Sequence, residues 1–230
     1  MIDQLIIGDK ASYDDFSASM ASRKIGNPKK KSITATVPYS NVTYDFSKIN
    51  GELYWEQRSL EYIFEIIAST PEQLEELKTA FSAWVMNVQD EEIHDPFIPE
   101  YHFVGTFDDI SFADEETLDK TTVTVKFKAY PYKVANFPTV IEGELSGPLV
   151  LHQIALGNRS SHRILATVMV NSTYGIIKVE CNIGGTIVDF IVGTAVSVYI
   201  PEGVQTVELK PIGSAGCVGE YSISFREEVF

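Results

Sequence analysis

The chain has 230 residues, 44% of them hydrophobic and 11% aromatic, which supplies ample apolar mass for packed cores and argues against a disordered chain. Lys+Arg 18 against Asp+Glu 32 leaves a net charge of -14, a poor match for a surface that grips nucleic-acid phosphates. The stretch from Met1 to Ile7 lacks the basic and long apolar regions of a signal peptide, and no apolar run nears the roughly 20 residues a membrane helix needs.

At the start of the chain, strand-like Leu5-Ile6-Ile7 leads into Gly8-Asp9-Lys10, yet neither a G-x-G-x-x-G nor a Walker pattern follows. A basic cluster comes next: Arg23, Lys24, Lys29, Lys30 and Lys31. It has no interleaved aromatics, so pairing with an acidic protein neighbour is favoured over nucleic acid, and these five residues form a candidate inter-subunit basic segment. Residues 31–37 alternate in polarity after the Asn27-Pro28 turn signal, which predicts a strand opening a long hairpin.

Leu60, Tyr62, Phe64 and Ile66 alternate with their neighbours as a half-buried strand does, and Val123, Val125 and Phe127 repeat the pattern. Between them lies one clear helix, from Pro71 to about Asn87. Thr70 is its cap, Pro71 suits the first helical position, and Gln73 completes a capping box. Leu74, Leu77, Phe81, Trp84, Val85 and Val88 then recur at helical spacing, making an apolar face that should lie on a sheet.

Residues 90–119 hold eleven acidic side chains and no Lys or Arg, a run whose first reading is a solvated loop. Within it Asp108, Asp109, Asp114, Glu115 and Glu116 form a candidate acidic segment, facing either a channel lumen or a neighbouring subunit. Paired carboxylates of the glycosidase kind need a fixed separation that loose acidic density does not encode. Calcium is disfavoured because Asp90 to Asp95 lacks a turn glycine. His94 and His102 are eight residues apart, a spacing that matches no compact zinc motif. We therefore expect no catalytic residues, no metal and no cofactor.

The stretch from Tyr130 to Pro138 carries two prolines and separates a strongly acidic half from a paler, Val- and Ile-rich one, placing a domain boundary at about residues 134–138. The domains are then 1–135 and 136–230. In the second, seven runs read as short strands: Leu145 to Gln153, His162 to Val170, Gly175 to Cys181, Thr186 to Val192, Ala195 to Ile200, Val204 to Leu209 and Tyr221 to Phe225. Asn182-Ile183-Gly184-Gly185 and Pro201-Glu202-Gly203 mark turns between them. This spacing predicts a β-sandwich or jelly roll. Cys181 and Cys217 read first as buried free thiols, with a cross-strand disulfide left open. The aromatics of this half fall mostly in strand-like runs, where core packing is the better expectation.

Three further segments carry a family resemblance: Gly8-Asp9-Lys10-Ala11-Ser12-Tyr13-Asp14-Asp15-Phe16, then Val37-Pro38-Tyr39-Ser40-Asn41-Val42-Thr43-Tyr44-Asp45-Phe46-Ser47, then Phe127-Lys128-Ala129-Tyr130-Pro131-Tyr132-Lys133. With the Thr70-Pro71 helix between them, residues 1–135 resemble the N-terminal domain of the distal tail proteins of long-tailed (siphovirus-type) bacteriophages and prophages. Val42 departs from the pattern, standing where the family has glycine after asparagine.

The resemblance implies a mainly β fold, with an N-terminal β-sandwich or split-barrel-like domain carrying one packed helix and a C-terminal galectin-like β-sandwich. It also implies a structural virion protein of the baseplate, not an enzyme. Six copies would form a ring at the tail tip, joining the tail-tube protein to a tail hub or tail-associated lysin-like protein while DNA passes through. A receptor-binding protein is a further implied partner, and assembly would take place in the host cytoplasm. The alternative is a carbohydrate-binding accessory module for host cell-wall attachment.

Overall fold

The structure is a computed structural model describing residues 3–36, 39, 41–48, 53–113, 119–160 and 162–230. It is mainly β, with antiparallel sheets throughout. Two compact units divide between Lys133 and Val134, with Phe230 counted in the first.

The first unit contains β1 (Ile6–Ile7), β2 (Lys10–Ala11), α1 (Ser12–Phe16), β3 (Ala18–Ile25), β4 (Thr34–Thr36), β5 (Thr43–Asp45), β6 (Arg58–Ile67), α2 (Pro71–Met86), β7 (Glu91–His94), β8 (Tyr101–Phe112) and β9 (Lys120–Ala129). Its main sheet runs in the order β2, β1, β7, β8, β9, β6, β3. Strict alternation in β6 and β9 decides which face is buried. Leu60, Tyr62 and Phe64 lie opposite Phe127, Val125 and Val123, and all six are buried.

Helix α2 covers that face through Leu74, Phe81 and Val85. Phe81 meets Phe64 edge-on at 5.4 Å and Phe16 at 5.9 Å, while Trp84 stacks on Phe16 at 4.8 Å. Each ring of this kind stabilises the unit by roughly 1.5–3 kcal/mol through burial, which outweighs any propensity term in holding the helix on the sheet. The start of α2 follows its sequence closely: the Thr70 hydroxyl accepts the Gln73 N–H at 3.2 Å. The Gln73 side chain in turn accepts the N–H of Ser69 at 3.0 Å, one residue before the cap.

Helix α1 was not expected. The Ser12 hydroxyl accepts the Leu5 N–H at 3.1 Å, and the Asp15 carboxylate accepts the Ala11 N–H at 2.7 Å. The Ser12 to Phe16 segment thus spends its polar groups on local structure and delivers Phe16 to the core. The expected hairpin at 31–37 forms between β4 and β5, with Thr34 opposite Asp45; Val37, Pro38 and Ser40 lie outside the described residues.

The second unit follows β10 (Lys133–Ala135) with β11 (Thr139–Ser146), β12 (His152–Asn158), β13 (Ile164–Ile183), β14 (Thr186–Ile191), β15 (Ala195–Ile200), β16 (Gly203–Phe225) and β17 (Glu228–Val229). Two separations expected from sequence do not exist. His162 to Val170 and Gly175 to Cys181 belong to the single 20-residue β13, and Val204 to Leu209 joins Tyr221 to Phe225 in the 23-residue β16. The single run expected from Leu145 to Gln153 is instead split between β11 and β12, whose ends are Ser146 and His152.

Both long strands serve two layers. The first part of β13 pairs with β15 and the end of β16, and its last part with β14 and the start of β16. In turn β11 flanks the end of β16, and β12 its start. Buried residues from both layers, among them Leu145, Val168 and Ile223 with Leu156, Val179 and Leu209, form one core, so the sheet folds onto itself as a sandwich.

The fold-over lies at register shifts between Ser172 and Lys178. Gly175 has φ +69, and a Cβ on Gly213 would stand 2.0 Å from the Gly175 carbonyl oxygen. Only glycine permits that approach. The Gly184-Gly185 hairpin between β13 and β14 is as read from sequence, with φ +57 and +87 and Ile183 opposite Thr186.

Candidate functional site

Of the candidate residues of the first unit, Arg23 and Lys24 lie on β3, His94 on β7, and His102, Asp108 and Asp109 on β8, and alternation along these strands sets which groups meet. Much of the acidic run is strand, not the solvated loop its composition suggests, because Ile93, Phe103 and Phe107 recur among the charges and seat β7 and β8 on the sheet. Asp108 forms an ion pair with Lys128, and Asp109 lies 3.5 Å from Lys126, both across the β8–β9 ladder. These two carboxylates are therefore opposed by lysines of their own chain. Asp114, Glu115 and Glu116 lie outside the described residues.

The basic segment disperses. Arg23 leaves it to pair with Asp95, whose side chain is fully buried. The same Asp95 oxygen accepts the Tyr62 hydroxyl at 3.3 Å, while its other oxygen takes the Phe97 N–H at 3.0 Å. Burial, and secondarily the Asp95 charge, raises the Tyr62 phenol well above its usual range. The Arg23 guanidinium also lies 4.6 Å from the Phe97 ring.

Of the remaining basic residues, Lys24 stands opposite Glu61 on β3, and Lys30 lies 3.5 Å from Asp45. Asp45 is held below the usual carboxylate range, first by the Ser47 hydroxyl and then by the Ser47 N–H. Lys29 and Lys31 are exposed, their backbones bonded to Glu56 and Tyr54.

The histidines depart from expectation. The separation of eight that argued against a shared metal is spanned by the turn between β7 and β8, which places the His94 and His102 rings 5.2 Å apart. Glu92, two residues before His94 and hence on the same strand face, approaches both: its Oε2 lies 3.4 Å from His94 Nε2 and its Oε1 3.6 Å from His102 Nε2. Sequence reading missed this set because the turn, not the spacing, creates the proximity; the alternation of Glu92 with His94 was the available signal.

Among the described residues, the linings of two clefts hold no serine or cysteine nucleophile paired with a histidine. A groove of about 510 Å³ beside α2 is lined by Trp84, Phe16, Lys10 and Glu91 among others. A second, of about 410 Å³, lies on the second unit with Glu142, Glu144, Asn171, Glu220 and Tyr221.

In that unit Phe190 and Phe225 are core residues as expected, but Tyr174 and Tyr199 are exposed, and Arg163 stacks on the Tyr199 ring at 4.6 Å. Cys181 and Cys217 are free and buried, and burial pushes the Cys181 thiol up to about 11. Asn158 is buried and donates to the carbonyls of His162, Ile200 and Pro201. Its side chain is thus committed to structure. Among the described residues no helix is long and apolar enough to cross a membrane.

No protein-family model matches the sequence, and no curated protein matches it. Among solved structures, the SPP1 Dit (gp 19.1) protein, described as a paradigm of the hub adsorption apparatus in phages infecting Gram-positive hosts, superposes with a TM-score of 0.72. The superposition covers 100% of each chain at 13% identity, so the two share a fold from end to end. A Bacillus endospore appendage protein matches 43% of this chain and 91% of its own at 15% identity, with a TM-score of 0.32, too slight to bear on the fold.

Proposed function

We propose that the chain is a structural component of the distal end of a phage tail, built into the hub that carries the adsorption apparatus. The observation that carries this reading is the end-to-end likeness to the SPP1 Dit protein at a TM-score of 0.72. The ordered segments Ser12 to Phe16, Tyr44 to Ser47 and Ala129 to Tyr132, which resemble the distal tail family, support it independently. In this role the protein forms a hexameric ring through residues 1–135, joins the tail tube to a hub or lysin-like protein, and leaves a channel for DNA. The galectin-like second domain, residues 136–230, faces other tail components. Its place is the virion tail tip, after assembly in the host cytoplasm, and its work is mechanical and not catalytic.

The β4–β5 hairpin is the surface we assign to the neighbouring subunit in such a ring. It exposes Ile33, Val42, Tyr44 and Phe46 together, with the Tyr44 and Phe46 rings 6.4 Å apart, where a chain acting alone would gain by burying them. Exposed Lys29 and Lys31 lie just before this hairpin and suit an acidic rim on the adjoining copy.

The second reading, carbohydrate binding, has one specific support: the polar groove holding Tyr221, Asn171 and three glutamates. A pull-down separates the two. The structural reading expects capture of tail-tube and hub proteins and no retention by purified cell-wall polysaccharide. Saturable polysaccharide binding lost in Tyr221→Ala would support the alternative, and release of glycan fragments would overturn both.

A further inference from the structure

We propose that Glu92, His94 and His102 form a three-ligand site for a divalent late transition metal, zinc in the first instance. The inference rests on side-chain geometry and stands whether or not the chain belongs to a phage tail. The ligand atoms of the three residues all lie within 4.8 Å of one another. The two separations from the carboxylate, 3.4 and 3.6 Å, exceed the roughly 2.7–3.2 Å of an ordinary N–H···O hydrogen bond. The two distances run from different oxygens of the carboxylate, and each lies near the edge, about 3.4 Å, of a tetrahedron whose metal–ligand bonds are about 2.0–2.1 Å.

The donor chemistry selects the ion. Two imidazole nitrogens and one carboxylate suit zinc and its neighbours, whereas magnesium and calcium require shells made wholly or mainly of oxygen. Two histidines and a glutamate leave a fourth position open to water or to a side chain of another protein. Glu92 is exposed and His94 half-buried, so an ion can enter from solvent, while His102 is buried and fixed.

The site is also braced. The turn joining its strands is held by Asp95, whose side chain accepts the Phe97 N–H and whose carbonyl accepts the Ile98 N–H at 2.9 Å. Asp95 in turn is anchored to Arg23 and Tyr62. Little ordering is then left for the metal to impose, which favours affinity. Bound metal would pin β7 to β8 from the face opposite buried Ile93 and Phe103.

The test is calorimetric titration of zinc chloride into the chelator-treated full chain, with magnesium chloride as the control ion and cobalt absorption as the report on geometry. We expect one zinc per chain, no magnesium binding, a tetrahedral cobalt spectrum and a zinc-dependent rise in Tm. His94→Ala and Glu92→Gln should each weaken zinc by more than the roughly 10–100-fold that loss of an outer supporting group costs. His152→Ala, on the second unit, should bind as the parent does. Absence of saturable zinc binding would overturn the proposal, and so would unchanged binding in both site variants. Glu92 is exposed, so its variant stays informative even if His94→Ala fails to fold.

Discussion

Arg23 and Asp95, 72 positions apart, meet in an ion pair in which the carboxylate is fully buried and the guanidinium partly exposed. The asymmetry predicts an unequal cost of breaking it. Arg23→Met strands the buried charge and should cost about 3 kcal/mol, the low end for a broken buried pair because Tyr62 and the Phe97 N–H still contact the carboxylate. Asp95→Asn strands only the charge that water can reach, and should cost less. Denaturant unfolding of both variants checks the order, and equal losses would contradict it.

A second prediction concerns Arg58. It falls at a core-facing position of β6, in phase with Leu60 and Tyr62, and is 3% exposed. Its Nε and one Nη nitrogen have no hydrogen-bond partner among the described residues, and burial lowers its pKa. The ring of Phe103, 5.5 Å away, offers only a cation–π contact. Unsatisfied buried donors cost about 1–3 kcal/mol, so Arg58→Met should leave stability unchanged or raise it. A clear fall in Tm would contradict this.

At the fold-over of the second unit, Gly213→Ala must push a methyl group into the Gly175 carbonyl, whereas Gly157→Ala meets nothing within 4 Å. The first should lower Tm by at least about 5 °C, the shift of roughly 1 kcal/mol in a domain of this size, and the second should move it far less. Thermal unfolding followed by circular dichroism distinguishes them.

The two cysteines yield a chemical prediction. Both are buried thiols, and the Cys181 thiol is pushed from 9.0 up to about 11. Native protein at pH 8 should resist iodoacetamide and become labelled at both positions only on unfolding. The sign for stability follows: between pH 9 and 11 the unfolded chain releases the Cys181 proton while the native chain retains it, so this group's contribution is full below 9 and declines toward 11. Cys181→Ala should flatten that part of the profile.

How far these features could be read from sequence depends on the range of the interactions that made them. Helix α2 and its cap were legible because Thr70, Pro71 and the apolar row act within a few residues of one another. The alternating faces of β6 and β9, and the Gly184-Gly185 turn, were legible for the same reason. The 20- and 23-residue strands were not, since glycines that ordinarily interrupt strands here let β13 and β16 bend through local register shifts and continue in the second layer. Short-range reading could not supply the intrachain partners of these charges either: Arg23 meets Asp95, and Lys126 and Lys128 meet Asp109 and Asp108, across strands distant in sequence. The His94 and His102 pairing was hidden for the converse reason: a turn brought together residues whose linear spacing fits no motif.

The central claim, that this protein is a ring-forming part of a phage tail tip, is tested most directly by light scattering at several concentrations, alone and with the tail-tube protein of the same phage. The account predicts a particle of six chains, closed by one repeated heterologous contact, present either in both samples or on adding the tube protein. A stable two-fold dimer in both samples, or a monomer unchanged by the tube protein, would contradict it.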